Sequence, residues 1–157
     1  MIVYRLEYNQ ILPIEISQAW DFFSNPENLC QITPDWLCFE IKHLESEAIY
    51  PGMIIQYTIR AVAGIPMSWT TEITQVRKPM FFVDEQRFGP YRFWHHQHIF
   101  QETDLGTQVT DLVHYALYLR WPAALVNHFL VRPKLKKIFA YRKKALEDIF
   151  STGVHIT

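Results

Sequence analysis

The sequence predicts an α+β domain. Its expected parts are a curved seven-stranded antiparallel sheet, two short helices after the first strand, and a long C-terminal helix across the concave face. Three observations predict it. Strand-like runs recur between residues 37 and 119, joined by connectors of hairpin length with no helices between them. Before that region, helical signals are confined to residues 18–32. After it they occupy residues 122–150, whose broad apolar stripe must be buried against the only available partner, the sheet.

Each element has its own warrant. Residues 2–12 alternate around Val3, Tyr4, Leu6 and Tyr8, and Pro13 closes the strand. Ser17 suits the N-cap of a helix over 18–24, with Ala19, Trp20, Phe22 and Phe23 as its stripe. Asn25-Pro26 breaks that helix, and a second one over 26–32 carries proline in its first turn before Thr33-Pro34 ends it. Six strands follow at 37–44, 53–62, 66–77, 81–88, 91–102 and 107–119. Their connectors carry turn chemistry: Pro51-Gly52, Ala63-Gly64, Lys78-Pro79, Gly89-Pro90 and Asp104-Leu105-Gly106. The last helix is striped by Leu125, Phe129, Leu135, Ile138, Phe139, Leu146 and Ile149, and Pro133 should kink or split it. Residues 1–150 read as one domain and 151–157 as a tail.

Bulk properties narrow the class. The chain has 157 residues, 49% of them hydrophobic, which is enough for one real core. No apolar run follows Met1, so a signal peptide is not expected. None reaches the roughly 20 residues a membrane span requires. Cys30 and Cys38 fit neither a metal spacing nor a disulfide framework, which predicts reduced thiols and a cytoplasmic setting. The net charge of −1 hides an asymmetry, because residues 112–146 hold eight bases and no acid. A solvated basic helix face explains that. Contact with nucleic acid or anionic lipid is the sharper alternative, and no nucleic-acid motif accompanies it.

The most informative stretch is Gly89-Pro90-Tyr91-Arg92-Phe93-Trp94-His95-His96-Gln97-His98-Ile99-Phe100. Strand alternation places Trp94, His96, His98 and Phe100 on one face, with Phe93, His95 and Gln97 on the other. Two imidazoles two residues apart lie roughly 6.5–7 Å apart along the backbone and can share a ligand or a metal. A metal would want a third donor, for which Asp111, Glu72 or Asp84 are available. No HExxH or CxxC pattern is present, so the face is expected to be a ligand anchor in a histidine–carboxylate network, with no metal and no cofactor. Burial would lower the imidazole pKa values and a carboxylate neighbour would raise them. Tyr57, Trp94 and Tyr115 can join an apolar face to a polar tip, and Phe129 can add to the cavity wall. Other aromatics, among them Trp20, Trp36, Trp69 and Phe82, are expected in the core or around the cavity. No serine stands in a nucleophile-elbow context.

These motifs resemble the START-like, or SRPBCC, superfamily, whose helix-grip fold is shared by plant lipid-binding allergens and polyketide cyclases. The resemblance is carried by Trp20-Asp21-Phe22-Phe23-Ser24-Asn25-Pro26-Glu27-Asn28-Leu29, Phe82-Val83-Asp84-Glu85-Gln86, the Gly89 to Phe100 stretch, Gly106-Thr107-Gln108-Val109-Thr110-Asp111 and Ile138-Phe139-Ala140-Tyr141-Arg142. It is nearest to the small bacterial ligand-binding members of that superfamily. The resemblance implies a hydrophobic ligand between sheet and helix, and it transfers no catalytic residue. The expectation is a binder of a small hydrophobic or amphipathic molecule, with His96, His98, Trp94, Asp111, Tyr115, Glu72, Tyr57 and Phe129 around it. The alternatives are a cyclase- or hydrolase-type enzyme using the His/Asp cluster as acid and base, and an interaction module acting through the basic C-terminal helix.

Overall fold

A computed structural model describes residues 1–62, 64–119 and 121–151. Ala63 of one expected turn, Arg120 of the basic stretch and residues 152–157 of the tail lie outside it. The strands are β1 (Tyr4–Leu12), β2 (Glu40–Leu44), β3 (Ile54–Val62), β4 (Ile65–Arg77), β5 (Phe81–Phe88), β6 (Phe93–Thr103) and β7 (Gly106–Ala116). They form one antiparallel sheet in the order β1-β7-β6-β5-β4-β3-β2. Strands β2 to β7 are a meander, as their short connectors require. β1 joins the far edge by pairing with β7, with Tyr4 opposite Tyr115 and Leu12 opposite Thr107.

The helices depart from the sequence reading in instructive places. Helix α1 runs Ile16–Phe23, two residues earlier than expected, because Glu15 and not Ser17 is the N-cap. Glu15 and Gln18 form a reciprocal capping box, in which the Glu15 backbone N–H donates to Gln18 Oε1 at 3.3 Å. Pro26–Ile32 is a 3-10 helix, capped by Asn25 Oδ1 accepting from the Glu27 N–H at 2.9 Å. β2 begins later than expected, because Asp35–Leu37 is a further 3-10 turn ending at the left-handed Cys38. Trp36 on that turn is exposed, not core.

Pro133 does interrupt the final helix. The chain forms α2 (Ala123–Val126), a π turn (Asn127–Val131) and α3 (Arg132–Ser151). The Arg132 N–H reaches back five residues to the Asn127 carbonyl. The wider turn moves backbone carbonyls away from the proline ring that would otherwise meet them.

Two apolar clusters fill the space between the concave face and α3. One joins Leu6, Trp69, Trp94, Val113 and Tyr115 to Leu135 and Phe139. The other joins Leu12, Trp20, Phe82, Phe100 and Val109 to Leu146. Tyr115 is fully buried and its hydroxyl donates to Asn127 Oδ1 at 2.7 Å, tying the end of β7 to the π turn.

The β6–β7 turn is fixed by Gly106. Its φ is 121°, and an added Cβ would lie 2.1 Å from the Leu12 carbonyl oxygen. Gly64 has φ 72° with open space around it. Gly106→Ala should therefore destabilise the fold by more than about 2 kcal/mol, and Gly64→Ala by about 1 kcal/mol. Urea denaturation of the two variants checks this, and equal costs would contradict it.

Candidate functional site

The two clusters do not close on each other completely. Between them lies a cavity of about 180 Å³, bounded by the sheet, the 3-10 helices and α3. That is room for roughly six waters, or for a small organic molecule. Its wall is largely apolar and includes Phe23, Leu29, Phe39, Ile59, Trp69, Phe82, Trp94, Leu135, Ile138 and Phe139. Asp84, His96, His98 and Arg142 make one polar region on it, with Tyr57 and Thr71 nearby.

Strand register builds that region. Asp84 on β5 lies opposite His96 on β6, and His98 lies opposite Asp111 on β7. Alternation turns all four side chains to the concave face. The histidine rings stand 3.8 Å apart, between the two carboxylates. His96 Nε2 lies 2.8 Å from Asp111 Oδ1, and its Nδ1 lies 3.3 Å from Asp84 Oδ2. His98 Nε2 lies 2.8 Å from Asp84 Oδ2. His98 Nδ1 lies 3.1 Å from Asp111 Oδ1 but off the line of a full hydrogen bond. From α3, Arg142 Nη1 approaches the same Asp111 oxygen to 3.6 Å, with its guanidinium over the Phe139 ring. Phe82 stacks on His98 at 4.2 Å between centroids.

Opposite charges decide the protonation states. Burial alone would lower the His96 pKa, but the Asp84 charge, the hydrogen bonds to Asp111 and Asp84 and the Asp111 charge raise it to about 9. Burial would raise both carboxyls. Asp84 is instead held well below the usual range by His96 and His98, and Asp111 by the same imidazoles and Arg142. The sequence left this competition open, and at His96 the carboxylates win. Tyr57 is pushed up by burial and by the Asp84 charge; its hydroxyl lies 3.1 Å from Thr71 Oγ1.

The expected residues divide. Trp94, His96, His98 and Tyr57 line the cavity. Asp111 is buried behind the histidines and acts on them, and Tyr115 lies in the core beneath the wall. Glu72 is a correction: it takes the opposite face of β4 and binds Arg87, Nε to Oε2 at 2.5 Å. Phe129 is a second correction, 67% exposed on the π turn. That turn adds a residue and throws Leu125 and Phe129 out of phase with Leu135, Phe139 and Leu146. His95 faces outward as expected and meets Glu85 at 2.8 Å. Two further residues complete the site. Asp84 shares its face with Phe82 through strand alternation. Arg142 follows Phe139 by three positions and precedes Leu146 by four, so it lies on the buried stripe, although the sequence groups it with the surface bases.

Comparison with known proteins agrees with this architecture. The family described as polyketide cyclase / dehydrase and lipid transport matches residues 12–135. The chain belongs to that family. Membership in this SRPBCC group implies hydrophobic-ligand binding in general. The fold is similar to that of TTHA0849 from Thermus thermophilus, at 15% identity and TM-score 0.69, covering 97% of this chain and 100% of that one. It is also similar to Ms6760 from Mycobacterium smegmatis, at 15% identity and TM-score 0.65, over 94% of this chain and 91% of that one. Among plant proteins, major latex-like protein 151 from Panax ginseng aligns at 11% identity and TM-score 0.64, over 94% of this chain and 97% of that one. No curated protein matches the sequence. Among the described residues of this SRPBCC protein, no helix is long and apolar enough to cross a membrane.

The His96 shift has a testable sign. Its folded pKa is about 9 and its ordinary value 6.5. The stabilisation is therefore fully present below pH 6.5 and is lost as pH rises through 9. Urea stability should fall by up to about 3 kcal/mol across that window. His96→Gln should flatten the profile, and an unchanged slope in that variant would refute the assignment.

Proposed function

We propose that this protein binds a small hydrophobic or amphipathic molecule in the cavity between sheet and C-terminal helix. The apolar wall supplies affinity by excluding water. The polar end of the ligand meets Asp84, His96, His98 and Arg142. One observation carries the reading: a cavity walled mostly by aromatic and aliphatic side chains exposes a single charged cluster. A greasy molecule with one hydroxyl, carbonyl or acidic group fits that distribution.

Asp84, His96 and His98 each offer a ligand atom, all within 4.8 Å of one another, so the trio could hold a metal ion. Charge balance favours the metal-free reading. The Asp84 and Asp111 carboxylates already face the His96 cation and the Arg142 guanidinium, and a metal would have to displace the His96 proton. A second reading is a cyclase- or hydrolase-type enzyme. It is favoured by His96, a cation on the cavity wall whose proton is held between two carboxylates.

Two measurements test the site. Ile138→Trp should fill the cavity and weaken the binding of the fluorescent probe 1-anilinonaphthalene-8-sulfonate at least tenfold, about 1.4 kcal/mol, while Ala124→Trp on the exposed α2 leaves it unchanged. Probe binding indifferent to Ile138→Trp would place the ligand elsewhere. His98→Ala should weaken the same probe; retained affinity with lost turnover on a co-purified compound would favour the enzyme.

Elemental analysis is the second measurement, on protein purified without chelator or metal-affinity resin. It should find no stoichiometric zinc or iron. Stoichiometric metal that disappears in His96→Ala would overturn the metal-free anchor.

A further inference from the structure

One end of the molecule is apolar and basic, and the ligand cavity does not account for it. Antiparallel register brings together the start of β1, the end of β7, the β5–β6 turn and the β3–β4 turn. At this end Ile2, Ile65, Phe88, Tyr118 and Trp121 are all exposed, Trp121 by 87%. α2 and the π turn continue the surface with Leu125, Phe129 and Leu130, each more than half exposed. Trp121 lies just before α2, and Leu125 and Phe129 follow it on α2 and the π turn. Soluble monomers rarely leave so many large side chains exposed in one region unless something covers them.

The surrounding charge identifies what covers them. Arg60, Arg92, Arg132 and Lys136 are exposed on or beside this end. The strand acids toward it are each held by a base: Glu7 by Arg5, Glu40 by Lys42, and Glu72 and Glu85 by Arg87. The opposite end carries Asp21, Glu102, Asp104, Glu147 and Asp148 near the end of β1, the β6–β7 turn and the end of α3. These acids are interspersed with Arg77, Lys78, Lys143 and Lys144, so that end is mixed in charge, while the exposed charges named at the apolar end are basic.

We propose that this apolar and basic end docks peripherally on an anionic lipid surface. Trp121 and Tyr118 suit the boundary between headgroups and acyl chains, Leu125, Phe129 and Leu130 suit shallow insertion, and the arginines meet lipid phosphates. A second copy of this chain fits less well, because a two-fold contact through this face would set one basic rim against another.

The test uses the purified protein and vesicles of phosphatidylcholine alone or with 30% phosphatidylserine, a composition of about a third anionic lipid. Cosedimentation should occur only with the anionic vesicles, with a blue shift of tryptophan emission, and should weaken as salt rises. The double variant Trp121→Ser, Phe129→Ser should lose at least tenfold in lipid affinity, and so should Arg92→Glu, Arg132→Glu. Both changes are on exposed side chains, and an unchanged circular dichroism spectrum certifies the fold of either one. Absence of binding to anionic vesicles overturns the proposal, as does binding that survives both variants. A stable dimer that the serine variant converts to monomer, without vesicle binding, assigns the face to self-association instead.

Discussion

Two carboxylates stand on the concave face of this sheet, Asp111 buried and Asp84 on the cavity wall, and the structure depends on how their charge is met. Asp84 and Asp111 stand on strands separated by β6, which supplies both histidines between them. Neither carboxylate could be buried alone, because an unpaired charge in an apolar interior costs several kcal/mol. Each is therefore bound to His96 and His98, and Asp111 also to Arg142 from α3. The arrangement links β5, β6 and β7 through side chains as well as backbone, and it links the sheet to the helix that crosses it.

The ion cluster also borders the unfilled part of the interior. A buried ion cluster limits how closely aromatic rings can pack, because its atoms must keep hydrogen-bonding geometry. Phe82 and Phe139 flank the histidines, with Phe82 stacked on His98 and the Phe139 ring edge-on to His96. Asp84, His96 and His98 face the cavity while Asp111 does not, and the rest of the wall is mostly aromatic and aliphatic. Charge at the base and rings around it give a binding space both affinity and orientation.

The molecule has a second organisation along its strands. The same hairpins that fix the sheet gather exposed apolar side chains at one pole, and the acids of the β6–β7 turn and the end of α3 lie among bases at the other. The π turn before Pro133 belongs to this second organisation. By shifting the helix phase it removes Leu125 and Phe129 from the buried stripe and leaves α3 to cover the sheet.

Local rules determined much of this protein. Period-two patterning and turn residues gave seven strands in order, because alternation and hairpin chemistry act over a few residues. The same alternation put Trp94, His96, His98 and Phe100 on the concave face. Boundaries moved where two local signals competed, as at Glu15 against Ser17. Pairings between distant residues were decided only in three dimensions. Glu72 and Asp84 are both strand acids on opposite faces by alternation, but only the register supplies Arg87 to the one and two histidines to the other. Arg142 reads as one base among many until α3 lies across the sheet and brings it to Asp111. A sequence fixes which face a side chain takes; the charges it will meet there come from strands and helices far along the chain.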